Sequence, residues 1–153
     1  MKHQPQDQNF EARVRASFAR QTFMTTLGAT LVAVEPGAVT IDLPFRPDLL
    51  QQHGFLHAAA LTAVVDSACG FAALTLMPPE AAVLTIEFKV NFLAPAAGKR
   101  FRAVGRVVRA GRNICVSSGE VLSMGNGAAQ GKEPVIALMQ ATVMTVRGSG
   151  LAD

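Results

Sequence analysis

The chain moves between two hydrophobic periodicities. Over residues 7–20 an apolar residue recurs every four positions, at Phe10, Val14 and Phe18, with Arg13, Arg15 and Arg20 elsewhere on the surface. That spacing predicts an amphipathic helix packed by its apolar stripe. The stretches TLGATLVAVEPG and AVTIDLPF alternate about Pro36-Gly37, a turn signal, and predict a β-hairpin. RPDLLQQHGF is irregular. It leads into LHAAALTAVVDSACGFAALTLM, residues 56–77, which is apolar all round and rich in alanine. This segment predicts a long buried helix, stopped by Pro78-Pro79. Alternation then returns in VLTIEFKVNFLAP (83–95), KRFRAVGRVVRAG (99–111), NICVSSGEVLSM (113–124) and PVIALMQATVMTV (134–146). The connections AAG, AGR and GNGAAQGKE carry turn chemistry; the last is the longest and is expected to be the most mobile.

Four consecutive strands joined by short turns predict an antiparallel meander. A sheet that gathers apolar residues on one face needs a cover, and only the 56–77 helix is long and apolar enough to serve. The expected class is α+β, a strongly curved antiparallel sheet wrapped around a long central α-helix. No repeat or linker interrupts the chain, so residues 1–153 read as a single domain.

Composition narrows the function classes. Of 153 residues, half are hydrophobic and 16% charged, with a net charge of +3; that is enough chain for a real core. The charge is too mild to indicate nucleic acid, and no run of five basic residues occurs. A small anionic ligand would suit it. Cys69 and Cys115 form no CxxC pair and read as buried free thiols in a reducing compartment. The polar N-terminus lacks the apolar core of a signal peptide, so a cytoplasmic location is expected. Residues 56–77 have the length of a membrane span. Asp66 at the centre would cost about 2.5–3.5 kcal/mol there, and no basic cluster flanks the segment, so a core helix is the better reading.

Three stretches together carry a family likeness: QQHGFLHAAALTAVVDSACGFAA, VLTIEFKVNFLAPA and GRVVRAGR. With the LGA and LP pieces of the hairpin, the chain resembles the hotdog-fold acyl-CoA thioesterases of the phenylacetate-degradation (PaaI-like) type over roughly residues 17–146. The family signature is Asn or Gln, then HG, then HGG opening the helix, with an Asp nine residues after the second His. Gln51, His53-Gly54, His57 and Asp66 sit at those spacings. One departure is visible: Ala58 and Ala59 replace two glycines, which keeps the backbone N–H and adds methyl groups where a ligand would approach.

The resemblance implies hydrolysis of an acyl-CoA thioester, with coenzyme A as part of the substrate and no separate cofactor. It implies Asp66 as general base or nucleophile, and the Ala58 amide assisted by Gln51 as the oxyanion hole. Thr85 would orient the attacking water, and His57, opening the helix, would belong to the catalytic set. Substrate contacts would come from His53, Gly54, Ala59, Cys69 and Gly70. Arg109 and Arg112, around AGR, are candidates for the coenzyme A phosphates, against the alternative of a solvated sheet face. Phe71 and Leu74 are candidates for the acyl pocket.

Geometry adds a constraint of its own. Asp66 lies eight residues after Ala58, about 12 Å along a helix axis. One thioester carbonyl cannot reach both. Two antiparallel helices from two copies could each offer an N-terminus to the other's Asp66, which predicts a homodimer with shared sites. Hotdog dimers commonly pair again, so a dimer of dimers is expected as well. Other readings have weaker support. His53 and His57 with Asp66 make a poor metal set. Asp48 and His53 have the spacing of hotdog enoyl-CoA hydratases without the usual Asn-Pro between them. A non-catalytic acyl-CoA-binding module would also suit the Ala58-Ala59 departure.

Overall fold

A computed structural model of the protein describes residues 3–125, 133–151 and 153. Two N-terminal helices come first, α1 (Phe10–Arg20) and α2 (Thr22–Leu27). The hairpin strands β1 (Thr30–Glu35) and β2 (Ala38–Pro44) follow, then a short 3-10 turn and the helix α3 (Ala58–Leu74). Four strands complete the fold: β3 (Ala82–Phe92), β4 (Arg100–Ala110), β5 (Ile114–Met124) and β6 (Val135–Val146). Residues 126–132 of the long GNGAAQGKE connection lie outside the described residues.

All six strands form one antiparallel sheet in the order β1-β2-β4-β5-β6-β3. The helix α3 packs on the inner faces of β2 to β6, so the expected sheet around a central helix is present. Inner-face positions such as Ile41, Leu43, Phe101, Val121 and Val143 are buried with Leu61, Val64, Val65 and Ala68 of the helix. Gly105 brings the two layers together. A Cβ there would fall 2.3 Å from the carbonyl of Ala68, so only glycine lets the helix backbone approach β4 this closely.

The four-strand meander is corrected by the observed order. Only β4, β5 and β6 follow one another; β3 lies at the far edge, paired with β6 alone among the described strands. The link from β3 to β4, residues 93–99, therefore crosses the end of the sheet instead of turning back. Its backbone is held by Leu93 N–H to Ile136 O (2.8 Å) and by Leu56 N–H to Ala96 O (3.2 Å). The second bond ties it to the entry of α3, so a segment that reads as turn chemistry becomes a wall of a cavity.

Three smaller corrections have local causes. Residues 22–27 form α2, whose last two residues the sequence assigns to the first strand; Gly28, at φ 72°, ends that helix and β1 starts only at Thr30. The helix α3 ends at Leu74, before the two prolines, because the Thr75 hydroxyl donates back to Ala72 O (2.6 Å) and accepts from Gly37 N–H (2.7 Å). Arg13, expected on the surface, has a side chain only 8% exposed. It pairs with Asp7 (3.5 Å) and donates to the carbonyls of Pro78 (2.9 Å) and Ala81. Arg13 thus ties α1 to the carbonyls of the turn after α3, where Pro78 O also accepts from Ala81 N–H (3.1 Å).

The edge strand β3 is anchored at its start. Val83 N–H donates to Asp153 Oδ2 (2.7 Å), and the other oxygen of Asp153 accepts from the Ser17 hydroxyl (2.9 Å). This fixes β3 against α1 two residues before Thr85. No described helix is long and apolar enough to cross a membrane.

Candidate active site

Two cavities sit at different heights along α3. The first lies at its N-terminus, about 480 Å³, lined by Gln51, Phe55, Leu56, Ala58, Leu61 and residues 92–96 of β3 and the crossing link. His57 caps the helix: its Nδ1 accepts from Ala59 N–H at 2.9 Å. The Ala58 N–H, one residue earlier, has no acceptor among the described residues. An unpaired leading amide at the positive end of a helix dipole is a ready donor to an anionic oxygen. Gln51 is oriented by its own loop. Its Oε1 accepts from His53 N–H, which leaves the NH₂ end as the available donor. Gly54, at φ 82°, makes the turn that permits this.

The second cavity surrounds Asp66, in the middle of α3. Thr85 on β3 donates its hydroxyl to Asp66 Oδ1 at 2.9 Å. Gln21, Ser67, Gly70, Phe71 and Val83 complete a space of about 80 Å³. A larger space of about 370 Å³ adjoins it, lined by Arg20, Gln21, Thr22, Phe23, Met24, Ala63, Asp66 and Ser67. Burial pushes the Asp66 carboxyl above the usual carboxylate range, and the Thr85 hydrogen bond only partly offsets this. A carboxylate of raised basicity, fixed by a hydroxyl and open to a cavity, can take a proton from a bound nucleophile.

The structure thus brings Asp66 to Thr85 and Gly70, and Gln51 to Ala58, as two separate groups. Other predicted residues fall elsewhere. His53 is exposed, with its Nε2 3.3 Å from Gln52 Nε2. Ala59 is exposed on the first turn with its amide taken by His57. Cys69 is buried and turned to the sheet, where a Cβ on Gly119 would fall 2.8 Å from its Sγ. It lines neither cavity. Burial and the neighbouring Asp66 charge push its thiol up to about 12, so it stays a protonated packing group. Leu74 is likewise core, while Phe71 borders the small Asp66 cavity. Arg112 lines a space of about 320 Å³ near the C-terminal end of α3, with Met77, Cys115 and Arg147; Arg109 does not line it. The other β4 arginines are partly engaged: Arg102 makes a bidentate pair with Asp42 (2.7 and 2.9 Å) and Arg100 approaches at 3.5 Å.

Gln21 and Ser67 escape the sequence reading. Ser67 donates to Gln21 Oε1 at 3.4 Å beside Asp66. Gln21 lies outside the quoted motif stretches, and the break between α1 and the unpredicted α2 brings it to the site.

The comparisons with known proteins bear on the family and the fold. The family profile described as the Thioesterase superfamily matches residues 53–128. A crystal structure of a thioesterase family protein from Silicibacter pomeroyi is 48% identical, with a TM-score of 0.86, covering 91% of this chain and 99% of that one. The chain belongs to the thioesterase superfamily. Its hotdog fold is shared with the Escherichia coli PaaI protein of the phenylacetic acid degradation operon. The TM-score is 0.81 at 17% identity, over 94% of this chain and 97% of that one. Among curated proteins, one from Saccharolobus solfataricus, provisionally named an esterase, is 30% identical over 90 residues. That match spans 59% of this chain and 64% of the relative's length.

The acid of the hydratase spacing is engaged by a neighbouring arginine. Asp48 is held by Arg46 (Nε to Oδ1, 3.0 Å), and that guanidinium keeps its carboxyl below the usual range.

Proposed function

We propose that the protein is an acyl-CoA thioesterase that works as a homodimer with two shared sites. The observation that carries this reading is the separation of its two halves. The half-buried carboxylate of Asp66, hydrogen-bonded to Thr85, opens to one cavity. The unpaired Ala58 amide and the donor end of Gln51 open to another, eight residues earlier on the same helix.

In this reading the acyl carbonyl lies against Ala58 N–H and Gln51 of one copy. Those donors stabilise the charge that develops on oxygen as the carbonyl is attacked. Asp66 of the other copy accepts a proton from water. The new C–O bond forms, the C–S bond breaks as the intermediate collapses, and the proton passes to the departing thiolate. The products are a carboxylic acid and free coenzyme A. Phe55, Leu61, Phe92 and Leu93 give the first cavity an apolar wall suited to an acyl or aryl-acyl group.

The edge strand supports a second copy. Among the described strands β3 pairs on one side only, yet carries exposed Leu84, Ile86, Phe88 and Phe92. An open edge rich in apolar side chains favours association. Arg112 remains the candidate contact for coenzyme A phosphates, and Arg109 stands next to the same turn. Free buried thiols at Cys69 and Cys115 suit a reducing, cytoplasmic setting.

The test is thiol release from a panel of acyl-CoAs, measured with a free-thiol reagent for the wild type and Asp66→Ala. Turnover that disappears in the variant supports the hydrolase. Tight binding of acyl-CoA with no thiol release would instead identify a binding module.

A further inference from the structure

The small cavity beside Asp66 has more polar structure than a carboxylate and a hydroxyl require. About 80 Å³ exceeds the ~30 Å³ that one water occupies, so more than one water fits. Its polar lining is Asp66, Thr85, Ser67 and Gln21; Gly70 contributes no side chain, and a Cβ built there meets nothing within 4 Å.

Counting hydrogens assigns the roles. The Thr85 hydroxyl hydrogen is directed to Asp66 Oδ1 (2.9 Å). The Ser67 hydroxyl hydrogen is directed to Gln21 Oε1 (3.4 Å). What remains as a side-chain donor in the lining is the NH₂ of Gln21, whose oxygen end faces Ser67. The Gln21 backbone is itself held: its N–H donates to Phe18 O (3.0 Å) and its carbonyl accepts from Thr25 N–H (3.3 Å). Gln21 therefore sits at the α1–α2 break as a fixed donor, on the wall between the two spaces that meet at Asp66.

We propose that Gln21 holds the attacking water against Asp66, so that the N-terminal helices supply part of the catalytic site. A water in this cavity donates one hydrogen to Asp66 and the other to a lone pair of Thr85 Oγ1. It accepts one hydrogen bond from Gln21, which leaves its second lone pair for the carbonyl carbon. On attack the water's proton moves to Asp66 and the new C–O bond forms. On collapse the C–S bond breaks and the proton leaves with the thiol.

This rests on the hydrolase reading, and the experiment separates the two. Steady-state thiol release is measured for wild type, Asp66→Asn, Gln21→Met and Gln21→Glu, with Tm as a control for folding. Gln21→Met keeps size and removes the donor; kcat is expected to fall about 10- to 100-fold with KM changed less than about threefold. Gln21→Glu adds a negative charge near Asp66 and is expected to move the acid limb of the kcat profile to higher pH. The other titratable groups near Asp66 are Cys69 on α3, buried toward the sheet, and Arg20 at the end of α1, which lines the adjoining space; β3 brings only Val83 and Thr85. If Asp66→Asn is inactive while Gln21→Met keeps kcat within twofold and Gln21→Glu leaves the acid limb in place, the role of Gln21 is overturned and the hydrolase reading survives. If Asp66→Asn keeps full activity, both fall. Should Gln21→Met fail to fold, the profile of the near-isosteric Gln21→Glu decides.

Discussion

The two ends of the site differ in what makes them polar. At the start of α3 polarity comes from the backbone: an unpaired amide, a helix dipole and a side-chain amide turned outward by its own loop. In the middle of α3 it comes from one carboxylate set among small residues and fixed by a hydroxyl. On the proposed reading the first end receives negative charge and the second takes a proton. Keeping them eight residues apart prevents the carboxylate from occupying its own chain's anion site. On the proposed reading, a second copy brings donor and base to one carbonyl.

The sharpest way to break this contrast is to remove the charge. Asp66→Asn should lower kcat by about 10²–10⁴, the usual worth of a positioned base. The same variant should gain thermal stability at neutral pH. The Asp66 pKa is raised in the folded state, so between the unfolded and folded values the native chain binds more protons, and stability falls as pH rises through that window. Above it the charged carboxylate opposes folding, and the neutral amide removes that cost. Melting curves at pH 4 and pH 8 check the sign, since the gain should be larger at pH 8.

At the opposite end, Gln51→Ala removes one donor and leaves the Ala58 amide. Loss of a single oxyanion donor is expected to cost about 10²–10³ in kcat with a smaller change in KM. Equal loss of binding for substrate and product would show that Gln51 holds the ligand instead of the transition state.

A smaller change should come from Thr85→Val. Burial raises the Asp66 pKa and the Thr85 hydrogen bond partly offsets it, so removing the hydroxyl should shift the acid limb of kcat/KM further up in pH. An unchanged limb would mean that Thr85 does not share the ionised state. Smallest of all, His57→Ala should cost about 1 kcal/mol of stability, the worth of a helix cap. Urea unfolding measures it.

Much of this contrast was legible in the residues, for reasons that differ by element. Asp66 stands out because a lone charge in an all-round apolar helix has few structural excuses. The entry to α3 is legible because QQHGFLH combines a side-chain amide, a turn glycine and a capping histidine at fixed spacing. The strands are legible from alternation, with boundaries that hold to within a few residues. Strand order was not, because AAG reads as a turn whether the chain returns beside β3 or crosses to β2. The crossing is fixed by long-range bonds such as Leu56 N–H to Ala96 O. The burial of Arg13 is not legible, because periodicity reports its helix face and not the carbonyls after α3 that it meets. Gln21 was invisible because a single polar residue between two helices has no pattern to betray it.

Subunit mixing tests the shared site most directly. Asp66→Asn and Gln51→Ala chains, each nearly inactive alone, are mixed in equal amounts under conditions that allow exchange. Half of the resulting dimers are heterodimers, each with one doubly impaired site and one intact site. Activity should therefore recover to about one quarter of the wild-type value per chain. A mixture that stays at the average of the two separate variants would contradict a site built from two copies.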